Sequence, residues 1–135
     1  MVVLNNIGHI IIVEDVFNAA PNELILKNPI NAINSKAIPT YFSFVISVGL
    51  TNLNPNSKLI IRANIISPSG KDLHNVIADM EIGPSNGVDK IIFGGFNFQC
   101  KNIFLEEEGE YKIVVSTDPG ESKETILPVY KIAEL

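Results

Sequence analysis

The chain has 135 residues and a net charge of −5, with 46% hydrophobic and 19% charged residues. This composition excludes a disordered chain, and the length suits one domain, residues 1–135. The acidic balance and the scattered basic residues, with Arg62 the single arginine, argue against binding nucleic acid or an anionic membrane. No apolar run approaches the ~18 residues of a membrane span. The one cysteine, Cys100, excludes an internal disulfide, so we expect a soluble, cytoplasmic protein.

Alternation of apolar and polar residues, which is typical of strands, recurs between turn-forming segments along the whole chain. The first two predicted strands are Ile7–Glu14 and Glu23–Lys27. Single helical turns are possible at Glu14–Ala20 and Cys100–Glu107. The six later predicted strands are Tyr41–Leu50, Lys58–Ile66, Asn75–Ile82, Lys90–Phe98, Glu110–Thr117 and Thr125–Ile132. Eight strands without an amphipathic helix predict an all-β domain.

Glycine and proline refine the predicted strands. Ser67–Lys71 (SPSGK) reads as a tight turn in which Gly70 adopts a positive φ. The Gly94–Gly95 pair predicts a bulge or a close backbone approach within its strand. Pro128 predicts an edge strand or a broken one, because proline cannot donate a hydrogen bond to a neighbouring strand.

The order of the later strands is that of an immunoglobulin-like sandwich. Strand B is Tyr41–Leu50, C is Lys58–Ile66, E is Lys90–Phe98, F is Glu110–Thr117 and G is Thr125–Ile132. Tyr111 lies near the start of predicted strand F, where a tyrosine corner would hydrogen-bond to nearby backbone. The Cys, Trp, Cys pattern of antibody domains is absent, since the chain has no tryptophan. We therefore predict an immunoglobulin-like antiparallel β-sandwich of about eight strands.

Several segments also resemble a family of small, uncharacterised cytoplasmic bacterial proteins with an immunoglobulin-like fold. The matching segments are Ile10–Val16, Glu23–Lys27, the long strand entered through Ile38–Pro39, the Ser67–Lys71 turn and Gly109–Val115. The resemblance implies a fold and no particular activity. An Ile-, Asn- and Lys-rich composition fits a bacterial chain or one encoded by a phage.

The side chains that could react or bind a metal form no recognisable catalytic or metal-binding pattern. His9 and His74 lack the spacing of metal ligands, and Cys100 is expected to be a buried thiol. No nucleotide-binding or nucleophile motif occurs. We therefore expect no catalytic residue, no cofactor and no metal. The acidic run at residues 106–108 is expected to be a solvated corner, with a rim for a basic partner as the alternative.

The outward positions of predicted strands C and F suggest an interaction surface. Ile60 and Arg62 on strand C, with Lys112 and Val114 on strand F, are the candidate protein-binding residues. They would belong to an apolar strip, interrupted by the two cations, that binds a protein partner or a second copy. The predicted function is a non-catalytic adaptor, inhibitor or accessory protein that binds through an outer sheet face or an edge strand.

Two alternatives remain open. One is an oligomeric structural component, such as a virion accessory protein, which would need a self-complementary apolar face. The other is an unrecognised enzyme or small-ligand binder, which would need a pocket that gathers Glu14, Asp15 or His9 with polar partners.

Overall fold

The computed structural model describes residues 7–20, 23–84 and 92–132, and nine strands form within these ranges. The strands are β1 (Ile7–Ala20), β2 (Glu23–Pro29), β3 (Ile33–Ser35), β4 (Thr40–Leu53), β5 (Ser57–Ile66), β6 (Asp72–Ile82), β7 (Ile92–Leu105), β8 (Gly109–Asp118) and β9 (Ser122–Lys131). These ranges contain no helix that is long and apolar enough to cross a membrane.

The strands form two sheets. One has four strands in the order β2-β1-β4-β7, and the other has five in the order β3-β9-β8-β5-β6. Every described pair is antiparallel except β3–β9, which is parallel. Predicted strands B and E thus lie in one sheet, and C, F and G lie in the other. The predicted all-β, immunoglobulin-like sandwich is confirmed.

The core lies between the two sheets, as the alternation predicted. In β5 the inward residues Leu59, Ile61, Ala63 and Ile65 are buried, whereas Ile60 and Arg62 on the opposite side are exposed. The largest fully buried side chains come from both sheets and include Ile46, Phe98, Tyr111 and Ile113. Apolar surface removed from water by this packing stabilises the sandwich, and it fixes which side of each strand remains outside.

The predicted turns and corner form as expected. Gly70 has a φ of +93°, and its N–H donates to the Ser67 carbonyl at 2.9 Å. The Ser67 hydroxyl accepts a hydrogen bond from the Lys71 N–H at 3.0 Å. The Tyr111 hydroxyl donates to the Glu107 carbonyl at 2.7 Å, so the predicted tyrosine corner is confirmed. A Cβ at Gly95 would lie 3.2 Å from the Val48 carbonyl oxygen, which is the predicted close approach.

Several predicted boundaries were wrong. Neither helical turn forms, because residues 14–20 extend β1 and pair with β2, and residues 100–105 continue β7. A bulge near Asn102, whose φ is +55°, lets β7 follow β4 to its end. The short strand β3 was not predicted; it pairs with β9 from Val129 onward, immediately after Pro128. Residues 90 and 91 of the predicted strand Lys90–Phe98 lie outside the described residues.

Candidate interaction surface

The pairing of β5 with β8 brings the four predicted binding residues together. Ile60 pairs with Asp118, Arg62 with Ser116, Asn64 with Val114, and Ile66 with Lys112. Because Ile61, Ala63, Ile113 and Val115 on the intervening positions are fully buried, the candidate residues all lie on the outer side of the five-stranded sheet. The structure therefore places Ile60, Arg62, Lys112 and Val114 on one continuous sheet face.

The exposure of these residues differs. Ile60 is 40% exposed, Arg62 and Lys112 are also exposed, and Val114 is half-buried. Arg62 and Val114 are diagonal neighbours, since Arg62 pairs with Ser116 and Val114 lies two residues before it. The cationic side chains of Arg62 and Lys112 lie between the aliphatic side chains, so charged and apolar side chains are mixed on this surface.

Neither cation has an acceptor from within the described part of the chain. Arg62 and Lys112 make no ion pair within 4.0 Å and no side-chain hydrogen bond there. Other lysines behave differently: the Lys71 Nζ lies 3.2 Å from the Glu106 carboxylate, and the Lys123 Nζ lies 2.8 Å from the Ile7 carbonyl oxygen. No carboxylate of the described residues therefore neutralises the Arg62 or Lys112 charge through a direct ion pair.

Sequence reasoning missed two members of this surface. Ile77 on β6 pairs with Arg62 and is 54% exposed, and Ile126 on β9 pairs with Lys112 and is 39% exposed. Each cation therefore has an exposed isoleucine on the neighbouring strand. The alternation in β6 already placed Ile77 on the outer side, but which residue it would adjoin depended on the strand pairing. Ile60, Ile77, Arg62, Lys112, Val114 and Ile126 are called the β5–β8 face from here on.

The relief of the β5–β8 face is shallow. A depression of about 150 Å³ lies beside β8 and is lined by Ile60, Arg62, Ser116, Thr117 and Asp118. A site that encloses a drug-sized ligand is usually a cleft of roughly 300 Å³ or more. The depression suits a protruding side chain of a larger partner better than an enclosed small molecule.

The residues proposed for a ligand pocket do not converge. Glu14 accepts a hydrogen bond from the Asn28 side-chain amide at 2.6 Å and lies 3.6 Å from the Lys27 Nζ. The Asn28 hydrogen bond and, to a lesser extent, the Lys27 charge lower the pKa of Glu14. Asp15 instead accepts a hydrogen bond from the Val16 N–H. His9 lies over Gly49, where an added Cβ would come within 2.1 Å of its ring.

The thiol of Cys100, the possible metal ligands and the acidic run at residues 106–108 are the remaining candidate groups. Cys100 is buried, as expected, and burial raises its pKa to about 12. Across residues 7–20, 23–84 and 92–132, no cluster of three or more His, Cys, Asp or Glu side chains could hold a metal ion. The acidic run is partly tied into the fold, since Glu106 pairs with Lys71 and the Glu108 Oε1 accepts from the Lys131 N–H at 2.6 Å.

The fold and the face together define an immunoglobulin-like β-sandwich with an exposed, mixed apolar and cationic surface on its five-stranded sheet. No family model matches the chain, and no curated protein matches its sequence. Among solved structures, the chain is similar to the CARDB domain of a Pyrococcus furiosus protein, solved in complex with di-metal ions. The two share 12% identity with a TM-score of 0.42, over 96% of this chain and 94% of that chain.

Proposed function

We propose that this protein is a non-catalytic interaction module that binds a protein partner through the β5–β8 face. The observation that carries the proposal is that Arg62 and Lys112 are exposed cations without an acceptor among the described residues. Each lies beside an exposed isoleucine on the adjacent strand. Arginine is enriched in protein interfaces, where it often carries a large share of the binding energy.

The chemistry of the face indicates the chemistry of the partner. Burying Arg62 or Lys112 without a counter-charge would cost free energy, so a partner must supply carboxylates or carbonyl oxygens at those positions. The arginine guanidinium favours a bidentate carboxylate, whereas the lysine ammonium accepts looser geometry. Between these contacts, Ile60, Ile77 and Ile126 require aliphatic side chains. The expected partner surface is therefore acidic at two points and apolar between them.

The proposed setting is the cytoplasm of a bacterium, with the chain encoded by the host or by a phage. The resemblance of its segments to small, uncharacterised cytoplasmic bacterial proteins supports this setting, and so does the presence of a single, buried cysteine. In that setting the module would act as an adaptor, an inhibitor or an accessory protein. A second candidate, an oligomeric structural component, is favoured by β6, an 11-residue strand that pairs on one side only among the described strands.

Site-specific photo-cross-linking in cells tests the proposal and identifies the partner. A photoreactive residue replaces Ile60 in one variant and Lys112 in another, both on the β5–β8 face. The matched control carries it at Tyr41, which is 65% exposed on the opposite sheet. We expect the same protein adduct from positions 60 and 112 and none from position 41. An adduct from position 41 alone would contradict the proposal.

A further inference from the structure

The edge strand β6 differs from the other sheet edges in the described part of the chain. It has 11 residues and contains no proline, glycine, lysine or arginine. The other edges are interrupted: β2 ends in Asn28 at a φ of +52° and Pro29, β3 has three residues, and β7 carries a glycine pair and the bulge at Asn102. Such interruptions prevent edge-to-edge pairing, whereas β6 carries one bulge, at Leu73 near its start, and is regular from His74 onward.

The hydrogen-bonding groups at the free edge of β6 can be assigned from its pairing with β5. The Thr117 N–H donates to the Glu121 carbonyl at 2.8 Å, so the backbone groups of Thr117 point to β9 and those of Ser116, by alternation, point to β5. Arg62 is the β5 partner of Ser116, so its own backbone groups point to β8, and Arg62 and Ile77 form a non-hydrogen-bonded pair of the β5–β6 ladder. The N–H and C=O groups of Ile77 therefore point to the free edge, whereas those of its two neighbours in β6 point to β5.

The side chains of β6 leave apolar surface on both sides of this edge. Val76, Ala78 and Met80 face the core but are only partly buried, because no described strand continues the sheet beyond them. On the outer side, Ile77 is 54% exposed. Another strand added here would gain backbone hydrogen bonds and would cover both apolar rows.

We propose that β6 pairs antiparallel with β6 of a second copy of this chain, about a two-fold axis at Ile77. Ile77 is the midpoint of Asp72–Ile82, so this register aligns the two strands along their whole range, with the bulge at Leu73 near each end. It places Ile77 opposite Ile77 of the second copy, and it places Val76 opposite Ala78. The edge-directed groups of the two Ile77 residues then form a pair of hydrogen bonds with each other, and two five-stranded sheets join into one continuous sheet.

The charges on β6 select this register. The strand carries Asp72, Asp79 and Glu81 and no basic residue. With Ile77 on the axis, Asp79 lies opposite Asn75, whose side-chain amide can donate to the carboxylate. Asp72 and Glu81 then lie opposite the uncharged Ile82 and Leu73. A register centred on Asp79 would instead place two carboxylates directly opposite each other, which is destabilising.

This inference does not rest on the proposed function: the pairing covers Ile77 of the β5–β8 face and leaves Arg62 and Lys112 uncovered. The first test is the mass of the purified chain in solution, by sedimentation over a roughly hundred-fold concentration range. We expect a species of twice 14.8 kDa that dissociates on dilution. A mass of 14.8 kDa at every concentration would overturn the inference.

Backbone hydrogen exchange measured by NMR then locates the interface. In the dimer the amides of Asn75, Ile77 and Asp79 should exchange much more slowly than after dilution to the monomer. The amides of Val76 and Ala78 bond to β5 and should be protected in both states. A dimer in which the Asn75, Ile77 and Asp79 amides still exchange rapidly would show that it uses another surface, and the inference would be wrong.

Two variants and a control complete the test. Ile77→Lys places two ammonium groups opposite each other and should raise the dimer dissociation constant by about tenfold or more. Ile132→Lys changes a similarly exposed isoleucine away from the edge and should leave dimerisation unchanged. Asp79→Pro removes an N–H that points to the edge and not to β5, so it should give a folded monomer by circular dichroism. Unchanged dimerisation in both β6 variants would contradict the pairing.

Discussion

The tyrosine corner offers the sharpest test of how the fold is held together. The Tyr111 side chain is fully buried, and its hydroxyl donates to the Glu107 carbonyl at 2.7 Å. The same oxygen accepts a hydrogen bond from the Glu107 N–H at 3.3 Å. Tyr111→Phe removes both hydrogen bonds and leaves the ring in place. The Glu107 N–H and C=O then lose these hydrogen-bond partners. The perturbation therefore isolates the hydrogen bonds from the packing.

The expected loss can be estimated from the two distances. The short bond should contribute about 1.5 kcal/mol and the longer one about 0.5 kcal/mol, so the free energy of unfolding should fall by about 2 kcal/mol. With an unfolding entropy of roughly 2.1 cal/mol/K per residue, the Tm of a 135-residue chain should fall by about 7 °C. Urea and thermal denaturation, followed by circular dichroism, measure both quantities.

A control variant at Tyr130 and the pH dependence of stability both test the role of the Tyr111 hydroxyl. Tyr130 is exposed on β9, and Tyr130→Phe should change the free energy of unfolding by less than about 0.5 kcal/mol. Burial raises the pKa of Tyr111 above 10.0, aided by the charges of Glu107 and Glu106. Its contribution is therefore complete below pH 10 and is lost as the pH rises through the folded-state pKa. Equal stability of Tyr111→Phe and wild type at pH 7 would refute the reasoning.

Three further predictions concern single positions. Gly109 has a φ of +135°, and an added Cβ would lie 2.9 Å from the Pro68 Cγ, so Gly109→Ala should lower the free energy of unfolding by about 1–3 kcal/mol in urea titrations. Cys100, buried and with its pKa raised to about 12, should resist a thiol reagent at pH 7 until urea unfolds the chain; rapid labelling of the native protein would contradict its burial. Removing the exposed Lys71–Glu106 pair with Lys71→Ala should change stability by less than about 0.5 kcal/mol in the same titrations.

The features that follow from local alternation could be predicted from the sequence. Alternation in Lys58–Ile66 and Glu110–Thr117 defined two strands and their buried sides, and the immunoglobulin-like order made them neighbours. The pairing of Arg62 with Ser116 confirms that these two strands are adjacent. Tyr111 was predicted from its place near the start of a strand, where the corner geometry recurs.

The features that depend on distant pairing could not be predicted. Strand β3 has three residues, too few for a periodic signal, and it exists because it pairs with β9 about a hundred residues later. Residues 14–20 extend β1 because β2 provides the partner strand. Val45 and Val13 are both buried on the side of β4 away from the core, where they pair with each other. Local alternation carries no information about such cross-strand neighbours.

The dependence on strand pairing also explains why two residues of the candidate surface were not predicted. Ile60, Arg62, Lys112 and Val114 were identified because two strands were expected to adjoin. Ile77 and Ile126 were not, because their relation to the cations depends on the β5–β6 and β8–β9 registers. These two isoleucines enlarge the apolar part of the surface, and Ile77 also connects it to the β6 edge.

The double variant Ile60→Asp with Val114→Asp tests the central proposal most directly, with the cross-linked partner as the binding probe. Both side chains lie on the outer side of the sheet, so the circular dichroism spectrum and Tm should remain close to those of the wild type. Two carboxylates on the β5–β8 face should abolish measurable binding in calorimetry, while Tyr41→Asp on the opposite sheet should leave it intact. Wild-type affinity in the folded double variant would contradict the account.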